Sequence, residues 1–346
     1  MYITPFAYNK ETSKVLKGIA ILMMVFLHLF NRDSQFDLYD SCFFINGHPL
    51  AQCLARACNP VGMFLFLSGY GMFYSFKRKN PLGGVKRVVS LYLGLWVTYA
   101  IFIPICSLCI NDNKYPGTFL ECMSNFFAYT NSWNHTTWFI LPFALIIISS
   151  TYLFSIMKTT KHVSIVFIIS LMLYYCVAII YGKYWSQLQN IRIALIICRY
   201  FEQLCPFLLG ALTCFHSYIK VPCKLPSMII QVFVLLLIVL CFGYSTLHGI
   251  PVYPIYSGVL MVLFANLKYK RGIADFLTFL GRHSMTIWLI HIYFCDELLK
   301  RLIYSPRVPI LIFLMEITIS TLVAIIIDRH CCPVKVGKSF FETVET

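Results

Sequence analysis

Lys17 and His28 are two ionisable residues within one apolar stretch, residues 14 to 30, that has the length of a membrane-spanning helix. Eleven positions separate them, so the two side chains lie about 20° apart around the helix and roughly 16 Å apart along it. An unpaired charge inside a spanning helix costs at least ~2.5 kcal/mol, which makes such residues candidates for function. A neutral imidazole can act as a general base. The alternative is a lysine that anchors the helix at the interface and a histidine bonded to a neighbouring helix.

Two later apolar stretches also carry polar or ionisable residues at helical spacing. Arg199 and Glu202 stand at positions i and i+3, one above the other on one helix face, either as a structural clasp or as part of a site. Ser284 and His291 are seven residues apart, which again places them about 20° from eclipsed. His291 is expected at a depth comparable with that of His28, either as a functional residue or as a core histidine bonded to a neighbouring helix.

The composition indicates a membrane protein. Of the 346 residues, 59% are apolar or aromatic and only 12% are charged. A bilayer core about 30 Å thick needs ~20 mainly apolar residues per span, and the chain supplies such stretches almost end to end. We therefore predict an all-α polytopic membrane protein with residues 1–346 forming a single domain. The net charge of +14 does not indicate nucleic-acid binding, because the basic residues lie in short loops rather than on one solvated domain.

Hydropathy predicts about ten spans, of which the eighth is the shortest. They cover roughly residues 15–30, 60–76, 88–110, 137–157, 163–181, 193–215, 228–246, 253–267, 276–295 and 308–327. One alternate set of loops, which includes both termini, carries more than twice as many Lys and Arg residues as the other. Cytoplasmic loops carry the excess of positive charge, so both termini are predicted to be cytoplasmic.

A basic cluster follows the second span on the predicted cytoplasmic side. Lys77, Arg78, Lys79, Lys86 and Arg87 place five positive charges within eleven residues. Such a cluster suits an anionic lipid surface or the phosphates of a soluble cofactor. The span before it ends in Ser-Gly at positions 68 and 69, which permits close approach of a ligand or of another helix.

Two longer loops are predicted on the outer side, at residues 31–59 and 111–136. Trp133 and His135 lie along the second, where they suit either a sugar or an ordinary membrane interface. Four cysteines of these loops are candidates for disulfide pairing if that side is oxidising, namely Cys42, Cys53, Cys58 and Cys122. No cysteine or histidine spacing indicates a metal site.

Three of the predicted spans together resemble one family. The first opens Leu-Lys-Gly-Ile-Ala-Ile and has ten residues between Lys17 and His28, and the second runs Phe64-Leu-Phe-Leu-Ser-Gly-Tyr70. The ninth reads Leu280-Gly-Arg-His-Ser284, followed by Trp288-Leu-Ile-His291. In this order the chain resembles the bacterial membrane acyltransferase 3 family, whose members attach acyl groups, mostly acetyl, to surface and exported sugars. Lys17 stands where many members have arginine, and the family's Arg-x-x-Arg is present only as Arg87 with Ser90, beside Lys86.

The resemblance implies a transferase that uses acyl-CoA from the cytoplasm, needs no metal, and acts on a glycan or glycolipid such as lipopolysaccharide or another exported polysaccharide. It also implies a multi-pass protein of the bacterial inner membrane. The implied catalytic residues are His28, Lys17, Glu202 and His291. The implied donor-binding residues are Ser68, Lys77, Arg78, Lys86, Arg87 and Arg282. The candidates for acceptor binding are Trp133, His135, Trp138 and Arg199.

The sequence leaves two mechanisms open. His28 either removes the proton of a sugar hydroxyl as that oxygen attacks the thioester, or carries the acyl group itself for a time. A glycan or lipid transporter or flippase is the alternative function, although such proteins typically contain internal repeats and we find none that is convincing. A structural membrane subunit is a further alternative, and the oligomeric state, including a homo-oligomer, is left open.

Overall fold

The computed structural model describes residues 9–79, 83–110, 112–217, 228–247 and 252–331, and these are almost entirely helical. Each of the ten predicted spans coincides with one of the helices in these ranges. In chain order the helices are α1 (Lys10–Phe30), α2 (Leu50–Ala57), α3 (Pro60–Lys77), α4 (Gly83–Cys109), α5 (Phe119–Phe126), α6 (Ile140–Ile156), α7 (Thr160–Asn190), α8 (Arg192–Ser217), α9 (Met228–Leu247), α10 (Tyr253–Asn266), α11 (Arg271–Ile292), α12 (Lys300–Ile303) and α13 (Pro309–His330).

Within the described ranges, seven helical segments are long and apolar enough to cross a membrane, so the chain is a multi-pass membrane protein. They are Lys10–Phe30, Leu50–Lys77, Gly84–Cys109, His135–Ile156, Thr160–Asn190, Arg192–His216 and Pro309–His330. Two shorter apolar helices are Gln231–Gly243 and Tyr253–Asn266. Helix α11 is less apolar because it carries Arg282, His283 and His291. The count of ten spans and the cytoplasmic position of both termini stay predictions.

Asparagine caps begin α1, which carries Lys17 and His28, and α3, which carries Ser68 and Gly69. The Asn9 side chain accepts a hydrogen bond from the backbone N–H of Thr12 at 2.7 Å, which starts α1. The Asn59 side chain accepts from the N–H of Gly62 at 3.1 Å, and Pro60 follows in the first turn of α3, where its missing N–H is no loss. Both caps fix the register of the residues that follow.

Helices α1 and α11 touch through two facing glycines. A Cβ atom on Gly18 would lie 2.0 Å from the carbonyl oxygen of Leu277, and one on Gly281 would lie 2.0 Å from that of Lys14. Only glycine permits this approach, since real Cβ atoms do not come so close to a carbonyl oxygen. The glycine of the Leu-Gly-x-x-Ser segment therefore serves helix packing.

Helices α3 and α8 pack in the same manner. A Cβ atom on Gly69 would lie 1.8 Å from the carbonyl oxygen of Phe207, and one on Gly210 would lie 2.0 Å from that of Phe66. Of the two interpretations of Ser68-Gly69, close helix packing accounts for the glycine.

Two small features order the loop between α1 and α2. Strands β1 (Phe44–Ile45) and β2 (His48–Pro49) form an antiparallel hairpin, whose turn residues Asn46 and Gly47 both have positive φ, as a type I′ turn requires. Arg307 donates hydrogen bonds of 2.6 to 3.1 Å to both carboxylate oxygens of Asp40. These bonds tie the loop to the start of α13, and the Arg307 guanidinium holds the pKa of Asp40 below its usual value.

Candidate active site

Three imidazole rings meet at the C-terminal end of α1. The centroid of the His28 ring lies 5.1 Å from that of His291 and 5.5 Å from that of His135. Gly18 faces Gly281 at the helix crossing, and His28 meets His291 ten residues further along both helices, so α1 and α11 run in the same direction. The comparable depth predicted for His28 and His291 is confirmed.

The hydrogen bonds of His291 define which of its nitrogens is basic. Its Nδ1 lies 2.8 Å from the carbonyl oxygen of Trp288 and 3.2 Å from that of Ile287. A carbonyl oxygen only accepts, so Nδ1 carries the proton and Nε2 keeps its lone pair. Nε2 is buried and has no hydrogen-bond partner in the described part of the chain. His291 is therefore poised to accept a hydrogen bond at Nε2, whereas the half-buried His28 is the more accessible ring.

An ion pair supports the third histidine. Arg32 donates to Asp296 Oδ2 at 2.6 Å and lies 3.0 Å from Nε2 of His135. A guanidinium only donates, so Nε2 of His135 is the acceptor and this ring is neutral. Asp296 belongs to a π-helical segment, Tyr293–Leu298, that continues α11. Such segments are rare and frequent at functional sites.

Asn134 joins the loop before α6 to α11. Its Nδ2 donates to the carbonyl oxygen of Leu289 at 2.7 Å, and its Oδ1 accepts from the backbone N–H and the hydroxyl of Thr136 at 3.0 and 2.6 Å. The side chain is almost completely buried, at 1% exposure. Its neighbour His135 is thereby held beside His28.

A second group of basic residues lies toward the N-terminal end of α1. Arg87 of α4 donates to the carbonyl oxygen of Ser68 at 3.4 Å, and its guanidinium lies against Gly71 of α3. Its Nε–H is buried and has no hydrogen-bond partner within the described ranges. Arg87 is also close enough to Lys17 for the two positive charges to repel. An anion bound between them would relieve this repulsion.

The other predicted donor-binding residues lie at the surface. Lys77 and Arg78 are exposed and rest over the rings of Phe73 and Tyr74, at 5.4 and 4.7 Å from the ring centroids. Lys86 and Arg282 are exposed as well. These four residues offer positive charge at the surface, whereas Lys17, Ser68 and Arg87 are half-buried, and Arg87 bonds to the backbone of Ser68.

Arg199 and Glu202 each contact another residue rather than one another. The guanidinium of Arg199 lies over the ring of Trp138, 5.0 Å from its centroid, and Glu202 accepts a hydrogen bond from Tyr181 at 3.1 Å. Trp138 and Glu202 both line a cavity beside the end of α1. The hydrogen bond of Glu202 is thus with Tyr181 and not with His28.

Trp133 is not exposed, as a residue that packs against a sugar would be. Its side chain is buried, and its indole N–H donates to the carbonyl oxygens of Lys114 and Pro116, both at 3.0 Å. It stabilises the loop before α5. Cys42, Cys53, Cys58 and Cys122 carry free thiols, and no group of three or more potential metal ligands occurs in the described part of the chain.

The site residues predicted from the sequence do not include Arg32, Asn134 or Asp296. Each lies outside or at the edge of a predicted span, where polar residues are ordinary. The only available signal is the acidic pair Asp296-Glu297 directly after the ninth span, where an apolar helix ends in two carboxylates.

A family model described as an acyltransferase domain matches residues 13–329, which is almost the whole chain. The chain belongs to the acyltransferase 3 family. No curated protein and no solved structure matches it. It is therefore a membrane acyltransferase, and the resemblance found in the first, second and ninth spans is confirmed.

The Arg32–Asp296 pair provides a test of this acyltransferase site. We expect Asp296→Asn to lower kcat about tenfold, because a neutral amide holds Arg32, and through it His135, less firmly than a carboxylate does. The KM for the acyl donor should stay unchanged, since Lys17 and Arg87, which are predicted to bind it, are untouched. Asp275→Asn is the matched control, because Asp275 is exposed and its contact with Arg271 is 3.9 Å long. Equal activity of wild type and Asp296→Asn would exclude a positioning role for the pair.

Proposed function

We propose that this acyltransferase moves an acyl group, acetyl by default, from cytoplasmic acyl-CoA to a hydroxyl of a surface or exported glycan. The observation that supports this proposal is the layout of α1. One face of a single helix carries Lys17, which lies near Arg87, and then His28, which lies among His135 and His291. A donor with an anionic head and a long arm needs an anion site at one depth and a base at another.

We assign the donor phosphates to the basic residues at the Lys17 end. Arg87 offers an Nε–H that has no hydrogen-bond partner in the described ranges, and positive charge at the surface of the same predicted side is added by Lys77, Arg78, Lys86 and Arg282. Charge-assisted hydrogen bonds to phosphate are about twice as strong as neutral ones. In this proposal both termini are cytoplasmic, ten helices span the bacterial inner membrane, and the pantetheine arm of the donor extends toward His28.

The chemistry we propose begins with His28 as the general base. Its imidazole takes the proton of the sugar hydroxyl as that oxygen forms a bond to the thioester carbon. The carbonyl oxygen becomes an oxyanion, the C–S bond breaks, and CoA leaves as a thiolate that takes up a proton. His291 accepts a hydrogen bond at Nε2 and orients the base. Arg32 supplies positive charge nearby, and His135 supplies a neutral ring.

An acyl-histidine intermediate is the second form of this mechanism. In that form His28 first attacks the thioester itself, and the sugar hydroxyl then takes the acyl group from the imidazole nitrogen. Labelled acetyl-CoA added without acceptor distinguishes the two. Label on the peptide that contains His28 after rapid quenching supports the covalent route, and label that stays in acetyl-CoA until acceptor is added supports direct transfer.

The proposed function is tested by acetyl transfer from labelled acetyl-CoA to the surface glycan of membranes that carry the wild-type protein or none. Lys17→Ala in the same assay is expected to raise the KM for acetyl-CoA. Labelled glycan in the wild-type membranes alone supports the proposal. Equal labelling with and without the protein would refute acetyl transfer to that glycan.

Arg87 provides the sharper test of donor binding. We expect Arg87→Ala to raise the KM for acyl-CoA about 10- to 100-fold, because a hydrogen bond to a charged group contributes about 1.5–3 kcal/mol. Arg271→Ala is the matched control, since Arg271 is an exposed arginine at the start of α11, with 97% of its side chain accessible. An unchanged KM in Arg87→Ala would remove Arg87 from the donor site.

A further inference from the structure

A cavity of about 240 Å³ lies beside the His28 end of α1, where α1, α3, α8 and α10 meet. Leu27 and Asn31, which flank His28 along the helix, form its α1 wall. The volume is many times the roughly 10–15 Å³ that one water molecule needs by this measure. It is smaller than the ~300 Å³ at which sites for drug-sized ligands begin, so it suits one small ring rather than an extended chain.

Gln203 of α8 is the unusual member of the cavity lining. Its side chain is 2% exposed, and neither Nε2 nor Oε1 has a hydrogen-bond partner in the described part of the chain. A buried amide without partners lowers the stability of the folded protein. A ligand that both donates and accepts hydrogen bonds would satisfy both atoms at once.

The other lining residues indicate the chemistry of that ligand. Glu202 contributes a carboxylate that accepts from Tyr181 and retains lone pairs for another donor. Trp138 contributes an aromatic ring, and much of the remaining wall is apolar, with Pro60 and Pro206 among its residues. Arg56 also lines the cavity, but its guanidinium is paired with the Asp33 carboxylate at 3.0 Å. A carboxylate beside an amide that has no partner in the described ranges therefore favours neutral hydroxyl groups over an anion, and an aromatic ring packs against the C–H face of a sugar.

We infer that this cavity binds one neutral sugar ring of the acceptor, with hydroxyls bonded to Gln203 and Glu202 and a neighbouring hydroxyl directed toward His28. The inference rests on the proposed acyl transfer and adds the place and the chemical class of the acceptor. Neither Gln203 nor the cavity is part of the donor site, because Lys17 lies roughly 16 Å from His28 along α1.

Gln203→Leu tests the inference, because leucine keeps nearly the same volume and removes both polar atoms. Since the amide has no hydrogen-bond partner in the described part of the chain, its loss breaks no hydrogen bond there. We expect the thermal midpoint of the purified full-length protein in detergent to stay the same or rise. With detergent-extracted surface glycolipid as the varied acceptor, we expect the acceptor KM to rise about 10- to 100-fold. The KM for acetyl-CoA should not change.

Gln187→Leu is the matched control, because Gln187 is an exposed glutamine on α7. An unchanged acceptor KM in Gln203→Leu, with an active wild type, would overturn the inference and leave the proposed function intact. A lower thermal midpoint together with lower activity would also overturn it, since Gln203 would then have a structural role. Absence of transfer by the wild type itself would overturn both.

Discussion

His28→Ala is expected to lower the rate of acyl transfer by about 10²- to 10⁴-fold, the range that a positioned general base contributes. The ring is half-buried at the end of α1 with His291 and His135 beside it, so alanine removes the base without opening the helix crossing at Gly18. The measurement is labelled acetyl transferred from acetyl-CoA to the surface glycan, in membranes that contain equal amounts of each variant. Binding of acetyl-CoA should be retained, because the basic residues of the proposed donor site are unchanged.

His162→Ala is the control for this experiment. His162 is exposed near the start of α7, and its ring is hydrogen-bonded to the Thr159 hydroxyl at 2.9 Å. It should transfer acetyl at the wild-type rate. If His28→Ala kept more than about a tenth of the activity, His28 would not be the base. His291→Ala and His135→Ala would then identify which of the two neighbouring rings takes the proton.

Helical positions and faces were predictable because they depend on local spacing. Lys17 and His28 share a face of α1 whatever surrounds it, and an apolar run of the length of a bilayer specifies a helix in lipid. For His28 and His291, the sequence predicted only that the two side chains lie at a similar depth in the membrane. Their contact at 5.1 Å depends on two glycines, Gly18 and Gly281, that let α1 and α11 touch.

The supporting residues could not be predicted because their partners are distant in the chain. Arg32 pairs with Asp296, 264 residues away, and Asn134 bonds to the carbonyl oxygen of Leu289, 155 residues away. Gln203 is informative only because its amide has no hydrogen-bond partner among the described residues, which no local pattern encodes. Trp133 shows the opposite case, since an aromatic residue in an outer loop has the same sequence signature whether it faces a sugar or, as here, is buried.

Alanine at Gly281 is expected to cost at least about 1–3 kcal/mol of stability, the usual penalty for overpacking, although it adds a single methyl group. That methyl carbon would lie 2.0 Å from the carbonyl oxygen of Lys14, so α1 and α11 must separate. A backbone carbonyl in a helix cannot move aside as the end of a flexible side chain can. Because the same two helices carry His28 and His291, the separation moves the proposed base away from the ring that we propose orients it. Transfer activity should therefore fall further than the amount of folded protein.

Gly272→Ala separates this effect from the ordinary consequences of adding a methyl group to a helix. Gly272 lies in the same helix, and nothing lies within 4 Å of the position that its Cβ would occupy. This variant should keep full activity and be as stable as wild type or slightly more so, since alanine favours a helix by about 0.5–1 kcal/mol over glycine. The measurements are the thermal midpoint in detergent and acetyl transfer per folded molecule.

Gly18→Ala should behave as Gly281→Ala does, because its Cβ would meet the Leu277 carbonyl oxygen at the same 2.0 Å. If either variant had the same thermal midpoint and the same acetyl-transfer activity as Gly272→Ala, α1 and α11 would not cross at these glycines. The contact between His28 and His291 would then be unsupported.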